Sequence, residues 1–142
     1  MNLPEGLADI VDDFNAIPES ERLNLLLEFS EDLPPLPQRL AEHPELLEPV
    51  VECQSPISII VEVKGGVANI FASAPPEAPT TRGFASILIQ GLSGSDPETL
   101  LGVPTDFPQS LGLSKIVSPL RLRGMTGMLA RIQRQTREQT TA

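Results

Sequence analysis

The hydrophobic period changes at Ile57, and that change restricts the possible folds of this chain more than any other feature. Ile57, Ile59, Val61 and Val63 alternate with Ser58, Ile60 and Glu62, the period-two pattern of a strand with one face in a core. Lys64-Gly65-Gly66 then offers a tight reversal into a second run, Val67 to Ser73, so the pattern predicts a β-hairpin over residues 57–73. The segments on both sides have helical spacing. Leu7, Ile10, Val11 and Phe14 fall at i, i+3, i+4 and i+7 after Pro4. A second helix follows Pro18, with Leu23, Leu26, Leu27 and Leu33 expected on one face and Arg22, Glu28, Glu31 and Asp32 mostly elsewhere, until Pro34, Pro35 and Pro37 stop it. Pro44 and Pro49 leave room only for helical fragments in residues 38–51.

Beyond the hairpin, a compact apolar helix is expected from about Thr81, carrying Phe84, Ile87 and Leu88 and ended by Gly91 and the segment Gly91-Leu92-Ser93-Gly94-Ser95. Ser95-Asp96-Pro97-Glu98 has capping-box spacing, with proline at the first helical position. In the last helix Ser118 is the cap, Pro119 lies in the first turn, and Leu122, Met125, Leu129 and Ile132 line one face before a polar tail from about residue 137 to 142. No repeat of 20 to 50 residues is present. One α+β domain over residues 1–142 is expected, a small antiparallel sheet covered by N- and C-terminal helices.

Charge and cysteine count exclude several functions. The 142 residues carry 19 acids, 10 bases and a formal charge of −9, which disfavours nucleic acid as a general partner. The charge is uneven: residues 1–62 hold 14 acids against Arg22 and Arg39, whereas residues 63–142 hold five acids against eight bases. Such polarity either steers a partner or marks solvated helix faces. The single cysteine makes no internal disulfide and supplies no Cys/His zinc site or iron–sulfur cluster, so no metal is expected on this chain and a reducing, cytoplasmic compartment is the expectation. The acidic N-terminus lacks a secretory pattern, and the stretch Gly83 to Ser95 is far short of the ~20 residues that span a bilayer, so no membrane association is expected.

Cys53 sits between the proline-broken segment and the first strand, where a loop tip would be anchored by the hairpin. A lone cysteine is often an inert packing residue. Here Glu48, Glu52, Gln54 and Ser55 describe a wet loop instead. Carboxylates oppose thiolate formation, so an activated Cys53 needs positive charge from elsewhere in the fold. At about 100° per residue, Arg121 falls in angle between Met128 and Ile132 on the apolar side of the last helix, which makes it the candidate thiolate stabiliser. His43, followed by proline, reads as an exposed helix-end residue and completes no Cys/His or Ser/His/Asp set.

Three motifs in order give these residues a family. Cys53-Gln54-Ser55 precedes a hydrophobic strand. Arg82-Gly83-Phe84 opens an apolar helix, with Glu77 six residues before the glycine. Ser118-Pro119-Leu120-Arg121-Leu122-Arg123-Gly124-Met125 starts the last helix. In this the sequence resembles the SufE family, sulfur-acceptor proteins that partner pyridoxal-phosphate cysteine desulfurases in iron–sulfur cluster assembly. The chain departs from that pattern in having Glu52 where a glycine precedes the cysteine, and an aliphatic rather than aromatic start to the strand.

The resemblance implies a SufE/IscU-like fold and a Cys53 that takes sulfane sulfur as a persulfide, sheltered at rest and exposed on docking. It implies Arg121 as the charge that favours the thiolate, with Gln54, Ser55, Glu77, Arg82 and Gly83 in docking or loop support. The implied partners are a SufS-type desulfurase carrying the pyridoxal phosphate and a SufB-type scaffold complex. This chain would need no cofactor of its own, would not be an enzyme, and would be a monomer or weak homodimer. The alternatives are a non-covalent adaptor of a desulfurase and a sulfur relay to another pathway such as tRNA modification. A stand-alone thiol hydrolase or transferase is disfavoured, because His43 is its only candidate base.

Overall fold

A computed structural model of the chain describes residues 3–53 and 55–140, which places Gln54 outside the described residues. At the centre, Gly65 and Gly66 adopt left-handed φ values of 59° and 80°, the backbone that a two-residue hairpin turn requires. They join β2 (Ser58–Lys64) to β3 (Val67–Ser73) in antiparallel register, with Lys64 opposite Val67 and Ser58 opposite Ser73. A third strand, β1 (Glu48–Pro49), pairs with the outer edge of β2 and makes the sheet order β1-β2-β3. The sequence pattern did not show this edge strand, because it is two residues long and contains a proline, which is tolerated only at an edge.

Helices α1 (Glu5–Ala16), α2 (Glu19–Glu31), α3 (Gln38–Ala41), α4 (Pro79–Leu92), α5 (Pro97–Leu101) and α6 (Pro119–Thr140) complete the α+β architecture. Ile57, Ile59, Val61, Ala68, Ile70 and Ala72 from the sheet segment join Phe84, Ile87 and Leu88 of α4 and Met125, Leu129 and Ile132 of α6 in one buried cluster. α4 is central: α1, α2 and α6 all pack on it. Among the described residues no helix is long and apolar enough to cross a membrane.

The structure corrects three local expectations and sharpens a fourth. On α2, Leu26 and Ser30 are buried, whereas Leu23 is 36% exposed and Leu27 lines an open groove between α1 and α2. The contact is narrow because α2 sits very close to α4: a Cβ on Gly83 would lie 2.6 Å from the Leu26 carbonyl oxygen. Arg22 is not on a solvated face, since its Nε donates to the Phe14 carbonyl at 2.8 Å and its Nη1 to that of Gly112 at 3.0 Å. α4 ends within the expected segment, at Leu92, with the left-handed turn at Gly94; Gly91 itself is buried where α1 crosses, and a Cβ there would lie 2.5 Å from Leu7 Cδ1. The cap of α5 is Asp96 rather than Ser95, accepting from the Thr99 N–H at 3.0 Å, as proline at the first helical position demands.

The expected polar tail is helical to Thr140. Beyond the short β1, the outer edge of β2 is free to take two glutamines of α6 in place of a strand. Gln135 Oε1 accepts from the Val61 N–H and Gln139 Oε1 from the Val63 N–H, both at 2.8 Å, while Gln139 Nε2 donates to the Val61 carbonyl at 2.7 Å. Spacing of i, i+4 on a helix matches alternate residues of a strand closely enough for this pairing.

Candidate functional site

Cys53 lies in the connection between β1 and β2. The Val50 N–H donates to the Ile57 carbonyl at 2.9 Å and closes the loop at its base, and the Cys53 N–H donates to the Val50 carbonyl at 3.2 Å. The strand pairing on either side therefore fixes the ends of the loop, and its tip leans onto α6. There Gly124 and Gly127, one helical turn apart, leave two notches. A Cβ on Gly124 would lie 2.9 Å from Cys53 Sγ, and one on Gly127 would lie 2.7 Å from Glu52 Oε2. Consecutive loop residues thus occupy consecutive notches. The thiol is half-buried against the helix rather than surrounded by water, which corrects the wet-loop reading.

The same face of α6 continues into Arg131 and Arg134. Arg131 grips Glu52 with both terminal nitrogens, Nη1 to Oε2 and Nη2 to Oε1, each at 2.7 Å. Its Nε lies 3.2 Å from Glu48 Oε2 without hydrogen-bond geometry. Arg134 pairs with Glu48 and, at 3.1 Å, with Glu138, and Gln135 Nε2 donates to Glu48 at 3.2 Å. Part of the charge asymmetry between the two halves of the chain is therefore satisfied internally, by carboxylates at the base and tip of the cysteine loop meeting guanidiniums of α6.

These contacts set the local electrostatics. Burial and then the neighbouring Glu52 carboxylate push the Cys53 thiol up from 9.0 to about 11, with Arg131 opposing them. The Arg131 hydrogen bonds hold the Glu52 carboxyl below its usual value. For Glu48, burial acts upward, but Arg134, Gln135 and Arg131 together bring it below the usual carboxylate range. A thiol in this state is protonated at neutral pH and becomes a good nucleophile only when it leaves its seat.

Of the residues singled out from the sequence, Cys53 and Gly124 come together. Ser55 is half-buried in the same loop, while Gln54 lies outside the described residues. Arg121 is exposed, which corrects the expectation that it faces the core: Ser118, Pro119 and Leu120 are exposed too, so the first turn of α6 runs beyond the elements that would cover it. Helical angle places a side chain on the core side only where something packs there. The guanidinium that acts on the thiol is Arg131, which sequence reasoning missed. Its signal was available, since Gly124, Gly127, Arg131 and Arg134 form an i, i+3, i+7, i+10 stripe.

Glu77 is exposed in the turn before α4. Arg82 reaches back to the Ala74 carbonyl at 2.6 Å, and Gly83 is buried against Leu26, so these two organise the β3–α4 connection and the α2 contact. His43 is exposed, 3.5 Å from Glu45. Among the described residues no group of three or more His, Cys, Asp or Glu comes together that could hold a metal ion.

Comparison with known proteins gives this geometry a family. The model of SufE, an Fe–S metabolism associated domain, matches residues 8–136. Over 138 residues the chain is 51% identical to an uncharacterized SufE-like protein of Mycobacterium tuberculosis, covering 96% of this chain and 95% of that one. Over 134 residues it is 28% identical to the SufE-like protein 1, chloroplastic/mitochondrial, of Arabidopsis thaliana, covering 94% of this chain and 35% of that one. The solution structure of a hypothetical protein from Thermus thermophilus superposes with a TM-score of 0.87 at 37% identity, covering 99% of this chain and 100% of that one. The chain belongs to the SufE family, whose domain is associated with iron–sulfur metabolism.

Proposed function

We propose that this protein accepts sulfur from a cysteine desulfurase on Cys53 and passes it to an iron–sulfur cluster scaffold. The observation that carries the reading is the placement of the chain's only cysteine at the tip of a loop fixed at both ends by β1 and β2 and seated on a glycine of α6. Such a thiol can be presented by lifting a few residues while the core stays packed, and it is kept protonated until then.

The transfer is substitution at sulfur. The Cys53 thiolate attacks the outer sulfur of a persulfide on the desulfurase, and a new sulfur–sulfur bond forms as the one within the partner's persulfide breaks. The partner's own sulfur leaves with that electron pair as a thiolate, and the outer sulfur keeps its proton, so Cys53 ends as a persulfide. Pyridoxal phosphate belongs to the desulfurase. This chain acts as carrier and activator, with the exposed Arg121 and Glu77 available to a docking partner.

The test is intact mass, measured without reductant after mixing the protein with a SufS-type desulfurase and L-cysteine. The expected result is a gain of one or more sulfur atoms on the wild type and none on Cys53→Ser. An unmodified wild type that still stimulates the desulfurase, or full stimulation by Cys53→Ser, would replace the carrier with a non-covalent adaptor.

A further inference from the structure

The departure from the family pattern at Glu52 has a counterpart on α6. Glu52 precedes the cysteine and carries a charge that raises the thiol, which on its own would be a defect in a sulfur acceptor. Its carboxylate, however, lies in the notch above Gly127 and receives both terminal nitrogens of Arg131 at 2.7 Å. That guanidinium is well covered, with 16% of its side chain exposed, and it also donates to the Gly127 carbonyl at 3.2 Å. Glu48, at the base of the same loop, approaches it from the other side and is itself tied to Arg134 and Gln135. One cation therefore bridges the base and the tip of the cysteine loop, and holds Glu52 through a hydrogen bond from Nη1 and a close ion contact from Nη2, so the pairing specifies position as well as attraction.

We propose that Arg131 is the positioning residue of the acceptor site: through its hydrogen-bonded ion pair with Glu52 it latches the Cys53 loop onto the Gly124 and Gly127 notches and so withholds the thiol. The role in sulfur transfer rests on the carrier reading above, but the latch belongs to the free protein and is tested without a desulfurase. The latch and a simple through-space effect of charge make opposite predictions for one variant. By charge alone, removing Glu52 speeds attack by the thiol and removing Arg131 slows it, because the first raises and the second lowers the thiol pKa. A latch is broken by removing either partner, so both variants react faster.

The measurement is the rate of Cys53 alkylation by iodoacetamide at fixed pH for wild type, Glu52→Gln, Arg131→Met and Arg131→Lys, with thermal midpoints recorded alongside. Both Glu52→Gln and Arg131→Met should react roughly 2- to 5-fold faster than wild type, the range expected for losing an ion pair at a partly covered site. Arg131→Lys, which keeps the charge and loses the guanidinium, should fall between wild type and Arg131→Met. Raising salt to about 1 M, where charges are screened within ~3 Å, should speed the wild type and leave Glu52→Gln nearly unchanged. Glu52 is exposed on a loop, so its variant folds whatever happens at Arg131. Arg131→Met reacting more slowly than wild type while Glu52→Gln reacts faster would reduce the pair to a field effect and overturn the latch. Wild-type rates in both variants would overturn it equally. Neither result touches the sulfur-gain experiment, which decides the carrier reading by itself.

Discussion

Replacing Gly124 by alanine separates the seat of the thiol from the stability of the fold. The added Cβ would stand 2.9 Å from Cys53 Sγ, inside contact distance, whereas Cys53 Cα and Cβ at 3.6 and 3.8 Å are in ordinary contact. Only the sulfur is in the way, and it can leave by rotating about χ1 or by lifting the loop tip. Alanine inside α6, past its first turn, gains about 0.8–1 kcal/mol over glycine in helix propensity, so the melting temperature should hold or rise. The thiol should change markedly. Burial is the first cause holding it near 11, so an unseated Cys53 moves back toward 9.0. Below both values the thiolate fraction scales with the shift, and two units amount to about 100-fold; the lower intrinsic nucleophilicity of a less basic thiolate takes back roughly eightfold, which leaves a gain of about tenfold or more. The assay is an iodoacetamide pH–rate profile with a thermal melt of the same samples. A wild-type profile in Gly124→Ala would refute the seat, as would a melt several degrees lower in a variant whose thiol still titrates near 11.

Further outcomes follow from the same geometry. Gly83→Ala should be destabilising by about 1–3 kcal/mol despite its better helix propensity, because its Cβ would meet the Leu26 carbonyl oxygen at 2.6 Å and backbone cannot step aside; Gly102→Ala, with nothing nearer than 3.5 Å, is the control, and urea midpoints decide between them. Gln135→Ala with Gln139→Ala strips acceptors from the N–H groups of Val61, which is 1% exposed, and Val63, and should cost about 1–3 kcal/mol and promote association through the bared edge, read by denaturation and light scattering. A melt of unchanged midpoint would show that water replaces the glutamines. The raised Cys53 pKa also predicts alkaline sensitivity. Its stabilising contribution is complete below 9 and lost as pH rises toward 11, and Cys53→Ser should remove that slope from the pH dependence of unfolding.

The sequence made the architecture legible wherever a pattern was long. Alternation from Ile57 and the paired glycines announced the hairpin, and the apolar stripe of the last helix announced α6, because each rests on many residues with one period. Contacts made by a single residue were not legible. β1 is two residues with a proline, and nothing in Glu48-Pro49 distinguishes a strand from a coil. The error at Arg121 has the same origin: the helical wheel assigned its angle correctly, but whether a given turn is covered depends on where the neighbouring elements stop. Which glycine of residues 91–95 makes the left-handed turn was not legible, because glycine serves both for such turns and for close approach, and only the crossing of α1 over α4 assigns Gly91 to the second. Cys53 stood out as the candidate acceptor from its neighbours and its motif, whereas its seat on Gly124 and the tie of its neighbour Glu52 to Arg131 depend on folding residues 52–53 against residues 124–131. Such a juxtaposition becomes readable only after the glycines and arginines of α6 are seen as one stripe.

The pinning of α6 along its C-terminal half has a kinetic consequence. Because Gln135 and Gln139 bind the helix to β2, and Met125, Leu129 and Ile132 bury its other side, the platform under the cysteine loop belongs to the most slowly exchanging part of the molecule. The loop tip depends on one half-buried side chain and an ion pair. Hydrogen exchange should therefore resolve two opening events with separate free energies: amides of Val51, Glu52, Cys53 and Ser55 exchanging through a local fluctuation, and those of α6 only through global unfolding. Core substitutions would shift the second and leave the first alone, so evolution could tune how often the thiol is offered without altering how well the protein folds.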